Sequence, residues 1–353
     1  MYDIIIIGAG PAGSNLARLV SKKKKVLLVD RRNFRNMSSY NEKLCGGLLA
    51  PDAQLMFAKL NLSLPNNVLV NPQIFAVKTV DLYNNIEKYY QRFYMNIDRF
   101  KFDRWMFDMI PDNIDKMLDT VFINCEKKSD RVIVKLRTQN KETELETKLL
   151  VGADGANSVV RKSAYNNHKW PKQYLSIQEV YKSKKILPYY IAIFDNNITD
   201  FYSWVIPKED TILIGSALDK VDAKEKFEFL KMKLSSKGFD FSNLVSRKGT
   251  FINRATRNRE IFYGEDNILL IGEASGLISP SSAEGISYAL YSSSILSNCI
   301  KGNQNDDVGR VYKNEMSKMN LKMTLKHIKS PFMFNKNLRK IAMKSSFISI
   351  KGL

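Results

Sequence analysis

The sequence predicts an α/β chain: a Rossmann-like nucleotide-binding domain, an antiparallel sheet inserted into it, and a basic helical tail. Three observations carry this. The chain starts with the apolar run Asp3–Ile7, the glycine turn Gly8-Ala-Gly-Pro-Ala-Gly13, a helix over Ser14–Ser21, and a second apolar run, Val26–Val29, ending in Asp30. Two later apolar runs, Leu149–Val151 and Asn267–Ile271, each lead into a glycine-bearing turn. Between them lie segments with the two-residue alternation of half-buried antiparallel strands. The nucleotide-binding domain is therefore discontinuous, taking residues 1–70, 96–165 and 260–305. A substrate domain takes 71–95 and 166–259, and the tail takes 306–353.

Each element has a local reason. An unbroken run of isoleucines is what a parallel strand covered on both faces requires. In the turn, Gly8 permits a tight bend, Gly10 lets backbone approach a pyrophosphate, and Gly13 lets helix pack on strand, with Ala12 beside it. The helix start offers amide donors to that anion. Asp30, 22 residues after Gly8, stands where a carboxylate accepts from a ribose hydroxyl, with Arg31 next to it. The alternative is a tight strand–helix turn without a ligand. The lysine run Lys22–Lys25 and the polar stretch Arg31–Tyr40 read as loops. Pro51 opens a helix over Asp52–Lys59, and Asp98 caps another running through Met106. Gln73–Asp81 and Lys88–Met95 alternate as strands. Thr120–Cys125, Arg131–Thr138 and Glu144–Val151 form a meander. Ser176–Val180, Tyr189–Phe194, Tyr202–Pro207 and Thr211–Ala217 form the second antiparallel sheet, followed by a helix over Ala223–Ser235. Ser282 is placed to cap a helix over Ala283–Ile300.

Composition narrows the function classes. A chain of 353 residues with 44% hydrophobic content can bury a core in each of two domains. Three scattered cysteines, Cys45, Cys125 and Cys299, indicate no disulfide framework. Two distant histidines, His168 and His327, argue against a metal site. No signal peptide precedes the first strand and no apolar run reaches 18 residues, so a cytoplasmic location is expected. The net charge is +19, which favours anionic partners. From Gly309 onward eleven Lys or Arg face one acid, Glu315. No RNA-binding motif accompanies the charge, so nucleic acid is not expected. Met316, Met319 and Met323, beside Lys318, Lys322, Lys326 and Lys329, read either as a helix lying on an anionic membrane surface or as one that caps the core.

Two further motifs follow strands: Gly152-Ala-Asp-Gly-Ala-Asn-Ser158 with Arg161, and Gly272-Glu-Ala-Ser-Gly276. Asp154 and Arg161 can hold one another or a diphosphate. With the opening turn, these fingerprints resemble the FAD-binding oxidoreductases of the glutathione-reductase-like, aromatic-hydroxylase-related group. The resemblance implies FAD as cofactor, with Asp154 and Gly272 near it. Glu273 stands where that group usually has an Asp reaching a ribityl hydroxyl. Gly285 and Ile286 lie at a helix start beside the flavin ring, and the group often has Gly where Ala283 stands.

Three more stretches resemble the geranylgeranyl reductase family. They are Cys45-Gly46-Gly47, Tyr202-Ser-Trp204-Val-Ile-Pro207, and Arg99 ahead of Phe102-Asp103. In that family the first lies against the flavin, the second lines the substrate cavity, and the arginine reaches the cofactor. The wording around Cys45 and the stretch Asn71–Asp81 resembles most a bacterial CbrA-type subgroup. The resemblance implies a reductase of carbon–carbon double bonds in a hydrophobic, isoprenoid or lipid-like substrate. Cys45, Tyr202 and Trp204 would be its catalytic residues, and NAD(P)H or a ferredoxin-like protein its electron donor. The alternative is a flavin-dependent monooxygenase or halogenase acting on a small aromatic molecule, with Lys78 as a candidate amine. Each residue also has a plain reading: Cys45 a buried thiol, Tyr202 and Trp204 core, Arg99 paired with Asp103 one turn on.

Overall fold

Four consecutive isoleucines, Ile4–Ile7, are all buried in β1 (Tyr2–Ile7), which pairs in parallel with β2 (Val26–Val29) on one side and β9 (Lys141–Gly152) on the other. Ile4 and Ile6 face one apolar layer, with Leu16, Leu296 and Tyr312; Ile5 and Ile7 face another, with Phe122, Val132 and Val160. Both faces of the strand are therefore dry, which explains a run without alternation. The computed structural model describes residues 1–20, 23–35, 43–184, 187–302 and 307–345. Ser21, Lys22, the loop expected from 36 to 40, Asp306 and the tail beyond 345 lie outside the described residues.

The chain folds as two units. The first comprises Met1–Glu42, Phe100–Lys172 and Asn253–Leu325. Its sheet runs β15 (Gly264–Glu265), β16 (Ile268–Leu270), β9, β1, β2, β6 (Asp115–Met117), and β7 (Thr120–Lys127) and β8 (Val132–Thr138) extend from β9. β9 serves twice: residues from Thr147 pair in parallel with β1, while those before pair antiparallel with β8. β6 was not anticipated, because three residues beginning Asp115-Lys116 read as loop. α1 (Pro11–Leu19) begins three residues before Ser14, since Pro11 needs no amide partner at the first helical position. α3 (Arg99–Asp108), α4 (Val159–Ala164) and α6 (Ile286–Gly302) complete the unit. They are joined by the first part of α7 (Val308–Phe334), whose Tyr312, Met316, Met319 and Met323 are buried with Ile4 and Leu16. The methionine stripe thus caps the core, and the reading that laid it on a membrane is corrected.

The second unit comprises Lys43–Arg99, Gln173–Ile252 and the chain from Lys326. Residues 43–70, placed by the sequence with the nucleotide domain, fold here instead, because β3 (Leu48–Leu49) pairs with β5 (Ile86–Asn96). α2 (Pro51–Lys59) follows β3 directly. The tail is likewise no separate element: α7 continues into this unit and α8 (Lys336–Lys344) belongs to it. The sheet order is β14 (Leu244–Arg254), β10 (Lys172–Lys182), β13 (Thr211–Leu218), β12 (Ser203–Lys208), β11 (Tyr190–Phe194), β4 (Ile74–Asp81), β5, β3. β10–β13, β13–β12, β12–β11, β4–β5 and β5–β3 are antiparallel pairs, and β4–β11 is parallel. β14 was missed because its alternate residues are Ser246, Lys248 and Thr250. One face of the sheet, with Ile177, Ile191, Val205 and Ile214, is sealed by Phe227, Leu230 and Leu234 of α5 (Ala223–Ser235).

A buried ion pair holds α8 to this sheet. Arg339 Nε donates to Asp81 Oδ2 at 2.7 Å and Nη2 to Oδ1 at 3.2 Å, while Nη1 donates to Met333 O at 2.8 Å. Both side chains are almost wholly buried. Burial works against the Asp81 charge, but hydrogen bonds from Arg339 and Asn84 outweigh it and hold the carboxyl below its usual range. That stabilisation is therefore present above the unfolded carboxylate pKa near 3.9 and is lost as pH falls through the depressed folded value. Asp81→Ala is expected to cost about 3–5 kcal/mol in urea unfolding, since it strands a buried guanidinium. It should also flatten the acid limb of the stability profile.

Candidate functional site

In the first unit three chain turns meet at the C-terminal ends of the parallel strands. A Cβ on Gly13 would lie 1.8 Å from Gly8 O, and one on Gly8, whose φ is +104°, would lie 2.5 Å from Ala153 O and 3.0 Å from Asp154 Cα. A Cβ on Gly272 would lie 3.1 Å from Ala12 Cβ. Gly10, by contrast, has nothing among the described residues within 4 Å of that position. The three opening glycines thus divide as the motif requires: two make room for protein and one leaves room for something else. Among the described residues Asp154 Oδ1 is buried without a partner, while Oδ2 accepts from Val159 N at 2.7 Å and Val160 N at 3.1 Å. Burial pushes the Asp154 carboxyl up.

Asp30, at the end of β2, accepts from Ala9 N at 2.6 Å and Arg32 N at 2.7 Å. Arg32 Nη1 reaches Asp103 Oδ2 at 3.1 Å, and its guanidinium lies over Phe34, which stacks on Phe107 with centroids 4.5 Å apart. Arg31 is exposed. Arg32 is thus held at the end of β2 by ion pairs with Asp30 and Asp103. Sequence reasoning passed over it, although a second arginine after a strand-end acid was the available signal.

Of the two readings of Asp154 and Arg161, the one in which they hold one another is not what forms. Arg161 is fully buried and donates to Lys169 O at 2.8 Å, Glu260 O at 3.0 Å and Ala274 O at 3.4 Å, with Trp170 stacked 4.7 Å away. Burial pulls its pKa down to about 10. It ties backbone segments together. Glu273 Oε1 accepts from Asn253 N at 3.2 Å. α6 starts at Ile286, not Ala283, because Glu284 turns back over the helix start and accepts from Ser287 N at 2.8 Å. Ser282 donates to Ser279 Oγ instead of capping the helix. Among the described residues, an added Cβ on Gly285 would have Ile278 Cγ1 near it, at 3.9 Å.

The second unit gathers the other predicted residues, with Arg99 buried at the start of α3. Gly47 has φ +63°, and its amide donates to Cys45 Sγ at 3.4 Å. Lys208 Nζ donates to Gly47 O at 3.2 Å and Ile97 O at 2.8 Å, and a Cβ on Gly46 would meet Ile206 Cδ1 at 2.6 Å. The loop Cys45–Gly47 is thereby pinned along β12, the strand that carries Trp204 and directly follows Tyr202.

Registered neighbours across a sheet share a face. Gln178, Gly215, Trp204, Ala192 and Thr79 are such neighbours, on the face opposite the one α5 seals. Tyr202 stands beside Trp204 with centroids 5.4 Å apart, and Tyr190 and Phe194 belong to the same face. Two buried polar atoms here have no partner among the described residues: Trp204 Nε1, a donor, and Gln178 Oε1, an acceptor. The indole edge leans over Gly215, where a Cβ would lie 2.4 Å from Nε1. The Tyr202 and Tyr190 hydroxyls are hydrogen-bonded, and burial, with neighbouring Tyr94 and Cys45 adding, raises Tyr202 far above the usual phenol value. Lys78 lies on the opposite face, paired with Glu87 at 2.6 Å. It is no free amine beside these aromatics. Gln178 and Tyr190 escaped sequence reasoning because nothing local marks a strand residue whose importance is its register.

No protein-family profile matches the chain. Among solved structures it resembles a geranylgeranyl bacteriochlorophyll reductase-like protein from Thermoplasma acidophilum, with TM-score 0.78 and 18% identity over 97% of this chain and 87% of that one. It also resembles CmlS, a flavin-dependent halogenase, with TM-score 0.69 and 16% identity over 91% and 62%. A third likeness is to aklavinone-11 hydroxylase in complex with FAD and aklavinone, with TM-score 0.63 and 14% identity over 85% and 62%. The fold is that of the FAD-dependent oxidoreductases, and the β1–α1 turn, the open space at Gly10 and the orphaned Asp154 oxygen fit that cofactor. The chain is also 40% identical over 352 residues to Protein CbrA of Escherichia coli K12, covering all of this chain and 99% of that protein. It belongs to the CbrA family.

The glycines separate folding from binding. Gly10→Val is expected to keep the thermal midpoint within a few degrees while abolishing retention of FAD, read as flavin released on denaturation. Gly13→Val is expected to lower both, because its side chain meets Gly8 backbone.

Proposed function

We propose that this chain binds FAD and reduces carbon–carbon double bonds of a hydrophobic, isoprenoid or lipid-like substrate. The observation that carries the reading is the aromatic sheet face of the second unit, where hydrogen-bonded, protonated phenols lie beside the pinned Cys45–Gly47 loop. Gly8, Gly10, Ala12 and Gly13 would hold the pyrophosphate against the start of α1, with Asp30 and Arg31 toward the adenosine. Asp154, Gly272 and Glu273 would line the middle of the cofactor, and Gly285 and Ile286 its ring end. Cys45, Gly46, Gly47 and Arg99 are assigned to the cofactor by family resemblance. The cofactor, when bound and reduced, supplies hydride. Reducing an alkene also takes a proton, and Tyr202 keeps one on its hydroxyl with Tyr190 hydrogen-bonded behind it. Trp204 and Phe194 shape an apolar wall and exclude water. Trp204 Nε1 and Gln178 Oε1 together fit a hydroxyl, which accepts from one and donates to the other.

NAD(P)H or a ferredoxin-like protein is the proposed electron donor. The basic C-terminal helices are proposed to bring the chain to the cytoplasmic face of an anionic membrane, where such a substrate resides. The competing reading, monooxygenation or halogenation of a small aromatic molecule, is favoured by the halogenase and hydroxylase among the solved neighbours. The engagement of Lys78 by Glu87 weighs against its halogenase form.

The test is anaerobic incubation of the FAD-loaded, chemically reduced protein with prenyl alcohols and diphosphates. Addition of two hydrogens to one of them supports the reading; no product there, with oxygen-dependent product from aromatic substrates, overturns it. Tyr202→Phe is expected to lower turnover about 10²- to 10⁴-fold. Because the phenol pKa is raised, the donor stays protonated and wild-type turnover should not fall between about pH 7 and pH 9.

A further inference from the structure

α7 has two apolar stripes, and the core uses only one of them. Tyr312, Met316, Met319 and Met323 are buried. On the opposite side of the helix, Leu321, Leu325, Ile328 and Phe332 follow the same spacing and are 67%, 53%, 61% and 53% exposed. Single exposed apolar residues are ordinary, but four in register along three turns are not. Lys318, Lys322 and Lys329 run along one flank of this stripe, all exposed. Beyond it, Ile341 of α8 is 67% exposed between Lys340 and Lys344.

We infer that the Leu321–Phe332 stripe is the surface by which this chain lies on a membrane of anionic phospholipid. The inference rests on the reading that the basic helices meet such a surface, and it names the face that does so. Charge complementarity selects this occupant. A second copy of the chain, packed stripe to stripe, would bring the lysine flanks of two strongly basic molecules together. Anionic headgroups would take those ammonium groups while the four apolar side chains enter the headgroup–acyl boundary. The helix cannot span, since none in the chain is long and apolar enough among the described residues. It would lie flat, its methionine side still facing the core.

The experiment is cosedimentation of the FAD-loaded full chain with phosphatidylglycerol vesicles and, separately, phosphatidylcholine vesicles. Binding to the first, at least tenfold weaker binding to the second, and a steep loss with salt are expected. Leu325→Glu with Ile328→Glu is expected to reduce partitioning at least tenfold with flavin content and circular dichroism unchanged. A Phe332→Trp variant should shift its emission to the blue on adding phosphatidylglycerol vesicles. No binding by the wild type overturns the membrane reading itself. Binding that survives the double glutamate variant, or a Phe332→Trp emission that does not respond, overturns the stripe as its surface. Truncation after Ser345 that alone removes binding assigns the contact to the last residues and likewise overturns it, as does a stable dimer in the absence of lipid that the glutamates dissolve.

Discussion

A methyl group on Gly13 would sit 1.8 Å from the Gly8 carbonyl oxygen, far inside van der Waals contact. Helix α1 can therefore lie against the end of β1 only if position 13 has no side chain, and the rest of the first unit follows from that closeness. The turn between them is tied at Ala9 by the Asp30 carboxylate and is crowded at Gly8 by the backbone after β9. What remains is the gap at Gly10. A crevice made this way is shaped by backbone closeness and by the Ala9–Asp30 hydrogen bond.

The second unit uses the two faces of one sheet for opposite ends. One face is apolar and sealed by α5, and its charged members, such as Glu179, are paired with Lys231 and Arg247. The other face keeps small residues, Gly215, Ala192 and Ala217, among large aromatics, and leaves a buried donor and a buried acceptor unsatisfied. Unsatisfied buried polar atoms cost free energy in a folded protein. Among the described residues, the two orphaned atoms lie on the aromatic face, whereas Glu179 on the other face is paired.

The nucleotide unit was legible because its signals are local. Apolar runs name β1, β2, β9 and β16, and glycine spacing names the turn. The core position of the methionine stripe was open between two readings, since periodicity tells that a helix has an apolar side without telling what covers it. Domain boundaries failed at residues 43–70 because pairing of β3 with β5 is non-local. The close backbone approach at Gly8 and Gly13 was legible from glycine spacing. The contact of Arg32 with Asp103, far along the chain, and the place of Gln178, set by register across β13, were not legible.

Ala283 sits at φ +52°, in the left-handed region that glycine occupies freely and alanine resists by about 1 kcal/mol. The turn that contains it is closed by Ser279 N donating to Glu284 O and Ala283 N to Ser279 O. The methyl group denies this segment the many backbone states that a glycine would sample before folding. The segment ahead of α6 thus carries a strain that a glycine at position 283 would not, held by the two hydrogen bonds that close the turn.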